Sequence, residues 1–182
     1  MAQPGLAVVV LGKSQVDARL WHNSGGHVPH RFVWRSPHGV QISVTEIEQR
    51  FFDLTNEQRR RGRLPPLVEA ETLSTAARRH SQDMLRRRFF AHVNPDRKTH
   101  ADRINAVLRW TAPESAENLW MRSGPMTAAG LAKVVDQAIA QLMASAHHRA
   151  NIMSRRYGHL GIGVALTASE IRVTQLFARF ER

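Results

Sequence analysis

Residues 64–84 read LPPLVEAETLSTAARRHSQDM. Pro65 and Pro66 end whatever precedes them, because proline lacks the amide hydrogen and its ring clashes with the preceding turn. Beyond them the spacing predicts a helix from about Val68 to Arg88. Leu73, Ala77, His80 and Met84 recur at helical intervals and share one face. Arg78, Arg79, Arg86 and Arg87 fall mostly away from that face. His80 therefore sits on the apolar stripe, where a lone histidine is more often a hydrogen-bonded core residue than a ligand.

Upstream lies a second helix. Ser43 and Glu46 have capping-box spacing. Val44, Ile47, Phe51, Leu54 and Gln58 then follow at helical intervals, four of the five apolar. Arg59, Arg60, Arg61 and Arg63 form a basic run where cations suit a helix C-terminus, and Gly62 breaks the helix. Residues 1–42 have a different character. They carry His22, His27, His30 and His38, and Pro29 and Pro37 break any helix. Short apolar pieces at 7–11, 32–34 and 40–44 are strand candidates without a long period. This segment reads as an irregular arm, and its four histidines match no standard metal spacing. The remaining domain spans 43–182.

Downstream, Phe89-Phe90-Ala91-His92 closes the quoted segment and Asn94 to His100, with Pro95, reads as a loop. Asp102 to Leu108 predicts a short helix and Ala112 to Ser115 a break. Ala116 to Met121 fits a strand or a helical turn. Leu131, Val134, Val135, Ala138, Leu142 and Met143 give a long helix over 127–145 one apolar face, with Thr127 as its N-cap. Leu160 to Leu166 and Ile171 to Phe180 have strand composition, joined by the short connection Thr167 to Glu170.

The chain has 182 residues, enough for one domain with a full core or a domain plus an arm. It has no cysteine, which excludes a disulfide framework, a thiolate zinc site, a cysteine nucleophile and a cysteine lipid anchor. Net charge is +11, and arginine supplies 23 of the 26 basic residues. Such a surface favours polyanions: nucleic acid, anionic lipid or an acidic envelope. No stretch approaches the roughly 20 apolar residues of a membrane span. Leu6 to Leu11 is apolar but lacks a preceding basic region and a clear cleavage site, so it is not read as a signal peptide. A different start or an unusual export route stays open.

Taken in order, these segments resemble the bacterial branch of the CAP superfamily (cysteine-rich secretory proteins, antigen 5 and pathogenesis-related proteins), also called SCP domains. The resemblance covers about three quarters of the chain, from Val44 to Phe180. It rests on the quoted helix, FFAHVNPD at 89–96, HADRI at 100–104, AENL at 116–119, LMASAHHRANIM at 142–153, and GHLGIGVA with VTQLFA at the end. Four positions depart from the family pattern: Ala116 replaces Gly, Leu142 replaces Trp, and Ala146-His147 replaces Pro-Gly.

The resemblance implies an α+β fold, a three-layer α-β-α sandwich with a small antiparallel sheet between helices. It also implies a cavity lined by histidines and acids. His92, Glu117 and His148 fall on those positions, and Ser145 falls where eukaryotic members carry a second acid. Register against Arg149, Asn151 and Ile152 assigns His148, with His147 as the neighbour that could replace it. His80, Asn118, Arg149 and Ser145 are the supporting residues.

Two imidazoles and a carboxylate form an acceptable site for a divalent metal such as Zn²⁺, with an open fourth position for a hydrolytic water. Without metal, His92 or His148 could act as a general base oriented by Glu117. Alternatively the three residues form a buried polar network. Asn118 and Arg149 are expected to hold backbone and carboxylate groups. Asp102 and Arg103 are expected to pair with neighbouring loops. No nucleophile is evident: Ser81 adjoins His80 in sequence, but neighbours on a helix face different ways.

Three functions follow. The resemblance implies a non-enzymatic, extracytoplasmic binding module, its ligand a lipid or an anionic envelope polymer. The alternatives are a metal-dependent hydrolase using His92, Glu117 and His148, and an Arg-driven nucleic-acid binder. No specific nucleic-acid motif supports the last, and aromatics are only 7%, few for stacking on single strands.

Overall fold

The computed structural model describes residues 33–35, 41–108, 114–126 and 128–180. Most of the 1–42 arm, including its four histidines, and the N-cap expected at Thr127 lie outside the described residues. Strands β1 (Val33–Arg35) and β2 (Gln41–Ser43) pair antiparallel in a two-stranded sheet. Helix α1 (Val44–Arg61) follows at once. The Ser43 Oγ accepts from the Glu46 amide at 3.3 Å, satisfying one of the amides that a helix start leaves free.

Six further elements build the layers before the final hairpin. They are β3 (Val68–Glu69), α2 (Glu71–Arg86), α3 (His100–Leu108), β4 (Glu114–Ser123), α4 (Ala128–Ala144) and α5 (Ala146–Ile152). Strands β5 (His159–Leu166) and β6 (Glu170–Arg179) complete a four-stranded sheet of order β3-β5-β6-β4. β5–β6 and β6–β4 are antiparallel, and β3 pairs parallel with β5.

The alternation of side chains along β5 and β6 divides the interior. Leu160, Ile162, Val164, Leu166, Ile171, Val173 and Phe177 face one layer, formed by α1, α4 and α5. Leu176 and Ala178 face the other, with Leu73, Ala76 and Ala77 of α2 and Ile104 of α3. The three-layer α+β architecture is the one expected. The close seating of α2 is set by Gly161 and Gly163. A Cβ at Gly163 would lie 2.1 Å from the Ala77 carbonyl carbon, and one at Gly161 2.2 Å from the Ser74 amide nitrogen. Only a residue without a side chain lets the helix backbone lie so near the sheet.

Several expectations are corrected. The second helix starts at Glu71, not Val68, because the amides of Val68 and Ala70 donate to Gly158 and Leu160 and make a short strand instead. The sheet is therefore not wholly antiparallel. Arg78 is buried rather than on an outer face: Nε donates to Glu48 Oε2 at 2.9 Å and Nη1 to Glu71 at 2.7 Å. Glu48 also accepts from the Val164 amide. Glu114 and Ser115, read as part of a break, begin β4.

Arg59, read as one of a basic run, is 1% exposed. Its guanidinium donates to the carbonyls of Pro65, Ile152 and Ser154 at 2.9, 2.8 and 2.7 Å. Residues 146–152, read only as a motif, form α5.

Candidate functional site

The site begins with the pleat of β4. Glu117 and Asn118 are neighbours on a strand and point to opposite faces. Glu117 points to the layer of α2 and α3, and Asn118 to the layer of α1 and α5. This one step decides which expected residues meet.

On the Glu117 side, the loop after α2 is shaped by Asn94, whose Oδ1 accepts from the amides of Asp96 and Lys98. Thr99 and Asp102 then cap α3 reciprocally: the Asp102 carboxylate accepts from the Thr99 amide and hydroxyl, and the Thr99 hydroxyl accepts from the Asp102 amide. Those bonds hold the Asp102 carboxyl below its ordinary range. α3 thereby aims Arg103 at the sheet. Its Nη2 donates to Glu117 Oε2 at 2.5 Å, and its Nη1 donates to the carbonyls of His92 and Lys98.

His92 Nδ1 stands 2.9 Å from Glu117 Oε1, so it carries the proton and donates to the carboxylate. The His92 side chain is 50% exposed, whereas that of Glu117 is 1% exposed. His80 lies beneath, its Nε2 donating to the Ala91 carbonyl at 3.0 Å and standing 4.0 Å from Glu117 Oε2. Burial pushes the His80 imidazole down to about 4, with Glu117 opposing and Arg103 adding to the fall. His80 is thus the hydrogen-bonded core histidine that the apolar stripe suggested, and it touches the site from below.

On the other side, Asn118 Nδ2 donates to the His148 carbonyl and to Gln175 Oε1, both at 3.1 Å, while its Oδ1 accepts from Asn151 at 2.9 Å. Gln175 in turn donates to Thr55 of α1. His148 is thus held through its backbone. Burial pushes its imidazole down, helped by His147 and His92 nearby. His147 is exposed and sits edge-on to His148. Ser145 is the N-cap residue of α5, and Arg149 donates to the Met143 carbonyl at 3.0 Å. Asn118 and Arg149 therefore hold backbone carbonyls, and Asn118 also the side-chain amides of Gln175 and Asn151.

The structure brings His92, Glu117 and His80 together, with His148 close by on a separate helix. Sequence spacing missed Arg103 as the cation on Glu117, because a helix residue and a strand residue 14 apart share no period. Ser81 is no nucleophile. Its hydroxyl is buried between the Gly163 carbonyl and Thr174.

Glu117 is not free to ligate a divalent cation in this arrangement. One carboxylate oxygen of Glu117 accepts from His92 and the other carries the Arg103 guanidinium. Among the described residues, no group of three or more His, Asp or Glu side chains is gathered to hold a metal ion. What the arrangement offers is an anchored imidazole whose Nε2 is left at the surface as an acceptor.

Residues 52–177 match the family described as the cysteine-rich secretory protein family, CAP. An uncharacterised protein of Bacillus subtilis strain 168, YkwD, is 31% identical over 127 residues, which is 70% of this chain and 46% of that protein. The chain thus spans about half the length of that curated relative. An extracellular protein containing an SCP domain from Bacillus anthracis str. Ames superposes with a TM-score of 0.60 at 28% identity, over 74% of this chain and 41% of that one. An outer surface protein from Borrelia burgdorferi superposes with a TM-score of 0.63 at 18% identity, over 77% and 97% of the two chains.

Proposed function

The chain belongs to the cysteine-rich secretory protein (CAP) family, in its bacterial form, and from that membership we propose that it acts outside the cytoplasm as a non-enzymatic binding module for an anionic envelope component. The observation that carries this reading is the state of Glu117. Both its oxygens are engaged, its charge is neutralised by Arg103, and it is sealed from water. A carboxylate so committed positions a loop; it is poorly placed to take a proton from a water or to ligate a metal.

The extracytoplasmic placement draws on the relatives described as extracellular and outer-surface proteins. The net charge of +11 draws anionic partners to such a surface. Large exposed apolar side chains among the described residues are few: Val68, Phe90 and Val93. Phe90 and Val93 flank His92, and Arg172 lies 5.8 Å from the Phe90 ring. That is little apolar surface for insertion into a bilayer, so a hydrated anionic polymer is the favoured partner over a lipid.

The hydrolase reading draws on one feature, the exposed Nε2 of His92 behind an anchored Nδ1, which is the form of a general base. It lacks a bonded nucleophile and an open carboxylate, and ranks second.

The test is co-sedimentation of the full chain with phosphatidylglycerol vesicles against phosphatidylcholine, and retention on immobilised polygalacturonate against uncharged dextran, at low and high salt. Salt-sensitive retention on the polyanion, with weaker binding to vesicles, is expected. Equal retention on dextran would overturn it, and preferential capture by single-stranded DNA in competition would move the function to nucleic acid.

A further inference from the structure

Helix α1 ends in a Schellman turn. The Leu64 amide donates to the Arg59 carbonyl and the Arg63 amide to the Arg60 carbonyl, both at 2.9 Å. The turn puts Arg63, the first residue beyond the cap, at φ 56°. Glycine ordinarily fills that position, because a Cβ is strained in the left-handed region. Here the glycine stands one place earlier. Gly62 lies at φ −83° and is required by packing, since a Cβ there would sit 2.2 Å from the Met153 Cε. Arg63 therefore bears the strain.

The Arg63 side chain is exposed and makes no hydrogen bond or ion pair among the described residues. Nothing inside the fold asks for an arginine there. Among the described residues, the other non-glycine residues at positive φ are also arginines, Arg88 and Arg97. Around those two, Asp83 and Asp96 lie close by on Arg87. Backbone strain kept without an internal contact points to use outside the fold.

The neighbours of Arg63 define that use. The buried Arg59 guanidinium donates to the carbonyls of Ile152 and Ser154, and so holds the end of α1 against the segment that carries Arg155 and Arg156. Arg155 is near enough to Arg59 to lower its pKa, after the larger effect of burial. Arg60, Arg61, Arg63, Arg155 and Arg156 are all exposed. Glu57 pairs with Arg61 and Glu114 with Arg156. The side chains of Arg60, Arg63 and Arg155 have no acid partner among the described residues.

Guanidinium groups read oxyanions through paired N–H donors and keep their charge at every physiological pH. Three of them on two segments suit an extended ligand with repeating charge better than a single ion. Val68, Phe90 and Val93, the large apolar side chains exposed among the described residues, lie outside both segments, so a bilayer would find no apolar wedge here. Residues 59–63 and 152–156 hold no aromatic ring on which single-stranded bases could stack.

We propose that Arg60, Arg63 and Arg155 form the docking surface for a hydrated anionic polymer strand, and that arginine stands at 63 for this contact although glycine would make the fold more stable. The inference rests on the reading above for the class of partner and adds the surface that meets it.

The experiment measures dissociation constants of the full chain for immobilised polygalacturonate and immobilised polyphosphate, at low and physiological salt, beside melting temperatures. The two polymers separate a carboxylated strand from a phosphorylated one. Arg63→Gly should weaken binding about fivefold, the worth of one charge-assisted contact. The same variant should melt about 2–4 °C higher, the shift that relief of one strained residue gives in a chain of this size. Arg60→Ala and Arg155→Ala should weaken binding by a similar factor and leave the melting temperature unchanged. Arg122→Ala removes the same charge from an exposed position at the far end of β4 and should bind within about twofold of the parent chain.

Binding by the parent chain that all three patch variants retain would overturn this surface and leave the reading above standing. A parent chain that binds neither polymer would overturn both. Tighter binding to phosphatidylglycerol vesicles or single-stranded DNA in competition, lost in the same variants, would overturn the polymer as the occupant. A melting temperature that does not rise in Arg63→Gly would overturn the claim that residue 63 serves the ligand rather than the fold.

Discussion

Arg103 Nη2 stands 2.5 Å from Glu117 Oε2, and both side chains are nine-tenths or more buried. The pair joins α3 to β4, and through Nη1 the same arginine pins the loop that carries His92. Arg103→Ala would leave a buried carboxylate without its cation, a loss of about 3–5 kcal/mol. Replacing both partners, as Arg103→Met with Glu117→Leu, should recover most of that, since the burial cost then vanishes too. Urea unfolding of the parent chain, the single variant and the double variant tests this. A double variant no more stable than Arg103→Ala would show that the pair is not the source of the effect.

His80 makes the fold sensitive to acid. Its imidazole has a folded value of about 4, pushed down by burial, against 6.5 for an unperturbed histidine. Between these values the unfolded chain binds a proton that the folded chain refuses. Stability is therefore fully present above about pH 6.5 and falls as the pH drops toward 4. At about 1.4 kcal/mol per pH unit, the loss from this group alone is about 3 kcal/mol. His80→Gln should flatten the stability profile across that window. A profile as steep in the variant as in the parent chain would assign the loss to other groups.

The seating of α2 on β5 gives a paired test with two glycines. Gly163→Ala places a methyl group 2.1 Å from helix backbone atoms that cannot turn aside. It should cost about 3 kcal/mol or more, the upper end for an overpacked core. Gly158→Ala meets nothing within 4 Å and should stay within about 0.5 kcal/mol of the parent. Melting temperatures of the two variants, measured together, check the contrast.

Zinc titration is expected to show no saturable one-to-one binding, because Arg103 and His92 already occupy the oxygens of Glu117. Saturable binding to the parent chain, lost in both His92→Ala and His148→Ala while the fold persists, would contradict this. It would establish a metal site and make a screen for hydrolase activity the next measurement.

Much of this could be read in advance where the signal is local. α1 and α4 declare themselves by apolar spacing, and the β5–β6 hairpin by composition around a short connection. The Glu117–His92 contact follows from matching motifs, one residue at a time. The rest depends on distant partners. β3 is two residues long and exists because Gly158 and Leu160 accept its amides. α5 has seven residues, too few for a period, and its place is set by Asn118 and Asn151. Arg78 looked solvated because nothing in its own helix announces Glu48, 30 residues away. The positioning of Glu117 by Arg103 is hidden for the same reason.

Arg59 ties the timing of assembly to the far end of the chain. Two of its three carbonyl acceptors, those of Ile152 and Ser154, are 93 and 95 residues downstream. During synthesis α1 emerges long before them, so two of these three bonds wait until only the β5–β6 hairpin is left to be made. The first half of the chain therefore cannot mature as a separate unit. Any fragment ending before Ile152 would carry α1 with its most buried cation short of two of its three acceptors, and would remain open for recognition by chaperones and proteases.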